Sequence, residues 1–161
     1  MAATPIAPSA RYIPEGVRHF NFLPAIATLS SPTRAEINAG TDLTPQVSGF
    51  GNWGIVSAPV NTPDLASTFV PTIPGLITVD GPTIDMYADS TSADVRTLLP
   101  RNTVGFILVL PEGDVPGHKM DVFPVKVASA EKMASIGANP ATIALVFTVT
   151  SLPSENVTVP A

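Results

Sequence analysis

The chain contains no cysteine, which excludes disulfides, thiolate nucleophiles and cysteine-ligated metals. Charge is scarce as well. Asp, Glu, Lys and Arg make up only 13% of 161 residues, about half the usual share. The 8 basic residues face 13 acidic ones for a net charge of −5, and no basic run or block occurs. A surface built to grip phosphates is therefore not expected. The two histidines, His19 and His118, have no carboxylate or histidine at metal-ligand spacing, and no G-x-S-x-G element supplies an activated serine. The longest apolar run, Val104 to Leu110, is far too short to cross a bilayer. The N-terminus lacks a cationic start and a continuous apolar stretch, which predicts a soluble protein made without export and no membrane partner. The sequon Asn156-Val-Thr158 then has no meaning.

Two further patterns fail on context. Gly49-Phe-Gly51-Asn-Trp-Gly54 matches G-x-G-x-x-G, but that motif binds pyrophosphate only where its last glycine opens a helix. Pro59 and Pro63 follow instead. The stretch reads as a glycine-rich bend anchored by Trp53, the sole tryptophan, which can also serve as an interface plug. Asp80, Asp85, Asp89 and Asp94 do not follow a calcium-loop pattern. The census points to a protein that is not an enzyme and has no cofactor.

What the sequence has in quantity is proline, 18 residues, together with 11 glycines and 45% hydrophobic residues at a mean hydropathy of +0.32. So much proline breaks helices, and so apolar a chain is not disordered. A single mainly β domain over 1–161, with long Pro-punctuated connections, fits both facts. Low surface charge in such a domain suggests that much of its surface is covered by copies of itself.

Along the chain, residues 1–17 with Pro5, Pro8 and Pro14 read as an extended arm. A strand is expected from Arg18 to about Ala27. A short helical turn follows, with Ser31 as cap, Pro32 at the first helical position and Gly40 as stop. A second strand region runs from Thr41 to Gly51. Residues 55–76 carry four prolines yet stay apolar, with Leu65, Phe69, Val70 and Ile73; they read as a protruding loop or hairpin that packs on something, the alternative being a self-packed Ω-loop. Leu76 to Val79 is a strand. Thr83 to Asp89 alternates, with Ile84, Met86 and Ala88 on one face and Asp85, Tyr87 and Asp89 on the other. Ser90 to Leu99 is the best helix candidate, capped by Ser90 or Ser92 and stopped by Pro100. Val104 to Leu110 is expected to be buried on both faces. Met120 to Val127 and Thr142 to Val149 are strands, Ser129 to Ile136 can make two helical turns, and 151–161 reads as a C-terminal arm.

The residues Tyr12-Ile-Pro-Glu-Gly, the stretch Pro32-Thr-Arg-Ala-Glu-Ile-Asn-Ala-Gly-Thr-Asp-Leu-Thr44, the bend ending at Trp53 and Val122-Phe-Pro-Val-Lys-Val-Ala128 together resemble the major tail tube protein of long-tailed phages, particularly those of actinobacteria. The chain ends too early for the extra immunoglobulin-like domain that some members carry. The resemblance implies a β-sandwich or partial barrel with one flanking helix, and subunits that close into hexameric rings. One sheet from each subunit then joins a continuous barrel around a lumen. Rings stack through the long loop and the terminal arms, and DNA passes through during ejection without specific binding. Implied partners are copies of the chain itself and other tail proteins: tape measure, terminator and distal tail. On this picture Asp85, Tyr87 and Asp89 are lumen-lining candidates. Trp53, Leu65, Phe69, Val70 and Ile73 are subunit-contact candidates. A capsid decoration or other virion β-protein, and a monomeric β-sandwich binding module, are the other readings.

Overall fold

The computed structural model describes residues 3–134 and 136–161. Its main sheet has eight strands in the order β2 (Thr41–Asp42), β1 (His19–Leu23), β7 (Val104–Leu110), β8 (Lys119–Met133), β9 (Thr142–Val149), β6 (Thr83–Tyr87) and β3 (Val47–Gly51), with β10 (Ser154–Thr158) pairing β8 off that path. All pairings are antiparallel. The separate strands β4 (Val56–Asn61) and β5 (Thr72–Thr78) form a two-stranded hairpin. The chain is mainly β, as the proline and glycine content predicts.

The long strand β8 belongs to two half-sheets. Its first part pairs β7, from Val109↔Asp121 to Val104↔Lys126, and pairs β10 on the other edge. Its second part pairs only β9, from Ser129↔Val146 to Met133↔Thr142, after a register shift between Val127 and Ser129. Such a bulge bends a strand and increases its twist. Here it folds the sheet over, so that Phe20 and Phe22 of β1, Ile107 of β7, Phe123 and Val125 of β8, Ile84 of β6 and Phe147 of β9 share one buried cluster.

The first half-sheet is covered on its other face too. Helix α1 (Arg34–Asn38) lays Ile37 against Leu23, Leu108, Leu110, Met120 and Val122. That double burial explains the continuous apolar run of β7. The helix starts two residues later than the expected Ser31 cap. Thr33 is the N-cap, its Oγ1 accepts from the Glu36 backbone N–H, and the Glu36 carboxylate accepts from the Thr33 N–H at 2.7 Å. This is a reciprocal capping box, which satisfies two otherwise orphaned donors.

Other boundaries differ from expectation. The first strand stops at Leu23, and the region 41–51 is two strands separated by a 3-10 turn at Thr44–Gln46. The helix expected over 90–99 is only Val95–Leu98 (α2), capped by Asp94 and not by Ser90 or Ser92. Residues 129–133 continue β8 instead of turning into helix; Ser135, in the same stretch, lies outside the described residues. The tail is not a free arm: β10 pairs β8, and Val157 and Val159 are buried. Arg34 fastens it by donating to both carboxylate oxygens of Asp114 and, at 3.1 Å, to the Pro160 carbonyl. The N-terminal segment does extend as an exposed chain over residues 3–13, while Met1 and Ala2 lie outside the described residues.

Trp53 closes one end of the core. Its ring packs on Phe123 at 5.1 Å, Phe147 at 5.6 Å and Phe20 at 6.2 Å between centroids, and Nε1 donates to the Thr83 carbonyl at 2.9 Å. Phe147 is fully buried. Phe147→Ala is expected to lower the unfolding free energy by about 3–5 kcal/mol. Urea titration followed through Trp53 fluorescence measures this directly; a loss under about 1 kcal/mol would show that the aromatic cluster is not the core's anchor.

Candidate functional site

Among the described residues the two histidines lie apart. His19 Nδ1 lies 3.6 Å from Asp42, between β1 and β2, and His118 Nδ1 lies 3.1 Å from the Glu112 carbonyl in the connection from β7 to β8. Among the described residues no three His, Asp or Glu side chains converge as a metal set would. The features that stand out are surfaces.

The first is the outer face of the second half-sheet. Register places Glu131, Ala144, Asp85 and Gly49 in one cross-strand row, with Ser129, Val146, Thr83 and Gly51 in the next. Met133, Thr142 and Tyr87 form a third row, and Lys126 beside Thr148 lies at the end of the face. Opposite neighbours in a pleated sheet share a face, so Asp85 and Glu131 point the same way, two strand spacings apart (roughly 10 Å). Their face is partly or fully exposed, whereas the alternate residues Ile84, Met86, Ile143 and Leu145 are buried.

Of the three residues expected together on this face, Asp85 and Tyr87 are on it. Asp89 is not, because β6 ends at Tyr87. The Asp89 carboxylate instead accepts from the Thr91 hydroxyl and, at 2.6 Å, from the Thr91 N–H, closing the turn. These bonds hold its carboxyl below the usual aspartate value. Glu131, in the row with Asp85, was hidden because Ala128 to Met133 is rich in helix formers. Only pairing with β9 makes it a strand.

The second feature is that this half-sheet has two unpaired edges. β3 pairs β6 on one side only, and residues 129–133 pair β9 on one side only. Beside the second edge lies an open groove of about 500 Å3 that brings together Arg96, Arg101, Lys132 and Glu131. These cations are scattered in sequence, so no basic cluster is visible until the chain folds. Lys132 crosses to Asp94, whose side chain is covered; Nζ stands 2.8 Å from Oδ2. The approach is close but poorly directed for a hydrogen bond. That contact is the main reason the Asp94 carboxyl titrates below its ordinary value; burial pushes the other way, and the Arg96 N–H bond assists the lowering.

The third feature is the hairpin, exposed along almost its whole length. It carries Leu65 at 109% relative exposure, Phe69 at 75%, and Val70 and Ile73 about half exposed. Of the five subunit-contact candidates, these four share one projecting element. Trp53 is apart from them, turned into the core, where its packing and hydrogen bond are satisfied within the chain.

A family model described as phage tail tube protein matches residues 6–161. No curated protein matches the chain.

The Lys132–Asp94 contact gives a pH prediction. A carboxyl lowered in the folded state contributes stability that is present above its unfolded value, near 3.8, and is lost as pH falls through the folded value. Lys132→Met removes the main lowering cause and leaves burial to raise the carboxyl. Acid unfolding, followed by Trp53 fluorescence, is expected to begin at a higher pH in Lys132→Met than in the parent. Coincident acid transitions would show that the contact contributes nothing.

Proposed function

The chain belongs to the phage tail tube proteins, a structural component of the virion, and from that premise we propose that its subunits close into hexameric rings which stack into the conduit for DNA ejection. The observation that carries this reading is the half-sheet with two unpaired edges. Unpaired edges are templates for strand addition. Two different edges on one sheet favour a head-to-tail contact, and head-to-tail contacts generate rings when the rotation closes. Pairing β3 of one subunit with residues 129–133 of the next would extend the sheet around a circle. Its partly exposed face would then form the inner wall.

On this arrangement Asp85 and Glu131 recur as bands of negative charge around a water-filled channel, with Tyr87 near one rim. Such bands repel phosphates and leave no cationic row to hold DNA. Lys126, at the end of the face, is the one cation among these strand positions. Screening over roughly 8–10 Å at physiological salt makes the repulsion between like groups tolerable. Asp89, in its turn, stays outside this set. The hairpin supplies ring-to-ring contact through Leu65, Phe69, Val70 and Ile73, because exposed apolar side chains of this size call for burial. Tape measure, terminator and distal tail proteins are the partners expected at the two ends.

Two experiments test the reading. Replacing residues 62–71 with a short Gly/Ser turn is expected to give a folded subunit, with unchanged circular dichroism, that makes no tubes in negative-stain micrographs. Full-length tubes from that variant would remove the hairpin from stacking. Asp85→Lys combined with Glu131→Lys is expected to permit assembly but to slow dye-detected genome release severalfold, more so at low salt. Release at the parent rate would argue that this face does not line the channel.

A further inference from the structure

An open groove of about 520 Å3 runs between the base of the hairpin and the turn from β9 to β10. Ile55, Ile77, Val79, Val149 and Leu152 supply its apolar walls, and Asp80 is its single charged residue. Ile77 and Leu152 are more than half exposed, so the groove as it stands puts apolar side chains in water.

A segment of complementary character is present on the same chain. Residues 3–13 are extended and exposed throughout. Ile6 is 96% exposed, and the side chain that ties the segment to the body is Tyr12, whose hydroxyl donates to the Pro111 carbonyl at 3.2 Å. Arg11 is the single charge in this segment. Among the described residues neither Arg11 nor Asp80 has an ionic partner.

We propose that the groove receives residues 3–11 of a second copy of the chain, with Ile6 on the apolar wall and Arg11 on Asp80. The inference rests on the tube reading and names the surface that the N-terminal arm would use within it. One apolar strip with one cation meets one apolar groove with one anion. The arm's prolines, Pro5 and Pro8, restrict it before docking, so less entropy is lost on ordering. Nine extended residues reach roughly 30 Å, enough to cross onto a neighbouring subunit. The charge pair sets the register of the arm more than its affinity, because desolvating two charges offsets much of their attraction.

The test exchanges the charges and then captures the contact. Arg11→Asp and Asp80→Arg are each expected to reduce pelleted tube mass about tenfold, and the double variant to restore it within about twofold. Arg11→Lys keeps the charge and provides an amine. Zero-length carbodiimide coupling of tubes co-assembled from 14N- and 15N-labelled Arg11→Lys protein is expected to join position 11 to Asp80 in mixed-isotope peptides. Peptides joined only within one isotope would mean that the arm occupies its own groove, and would overturn the proposal. So would tubes that form normally and yield no such peptide. Failure of the parent chain to form tubes in micrographs would count against the tube reading, whereas mixed-isotope joining in smaller oligomers would still support the contact.

Discussion

Strand β8 is hydrogen-bonded on both edges along its first part and on one edge along its second, and the Val127/Ser129 bulge within its ladder with β9 sets the rest of the molecule. Before the bulge, β7 lies along one edge and β10 and then β9, from Val125, along the other; after the bulge β9 alone continues the ladder, and the bulge bends the strand. Folding the sheet along this line makes two facing apolar layers from one continuous ladder. It also leaves the second part of β8 with an unpaired edge, because β7 begins at Val104, opposite Lys126. The same bend that builds the core therefore creates the surface proposed for ring closure.

The aromatic residues complete what the bend starts. Phe20, Phe123, Phe147 and Trp53 come from β1, β8, β9 and the turn after β3, so one contact group joins both half-sheets to the segment from which the hairpin leaves. Trp53 holds the base of the hairpin through its ring and through the bond to the Thr83 carbonyl. Within the hairpin, Gly75 lies against the Ala58 carbonyl, where a Cβ would collide. The projection thus has a fixed root and a close-packed stem even though its surface is open to water.

Much of this was legible from residue pattern. The apolar run of β7 and the alternation of β6 were visible because each side chain's burial follows directly from the pleat. So was the separateness of residues 55–76, because four prolines cannot sit inside a central sheet. The remainder depended on partners distant in sequence. Ser129 to Ile136 can make two helical turns by propensity, yet Ser129 to Met133 is strand because β9 pairs with it. The tail 151–161 looks like an arm, yet Ser154–Thr158 within it is a strand because Met120 and Val122 offer an edge and a greasy face. Trp53 beside glycines resembles a plug, yet three phenylalanines that no local pattern groups together draw it inward. Asp89 departs from the face of Asp85 and Tyr87 for a local reason: an Asx-type turn onto Thr91 competes with strand continuation.

The groove of Arg96 and Arg101 beside the second part of β8 bears on symmetry. Both side chains are exposed and have no ionic partner among the described residues. Two copies meeting through this same edge would form a two-fold dimer and would press these guanidinium groups toward their own images, which like-charge repulsion opposes. Such a dimer is closed and cannot grow. By penalising that self-match, the cations would filter against a dead-end pairing in the proposed ring and leave the unlike edge, β3, as the one that could approach without that penalty.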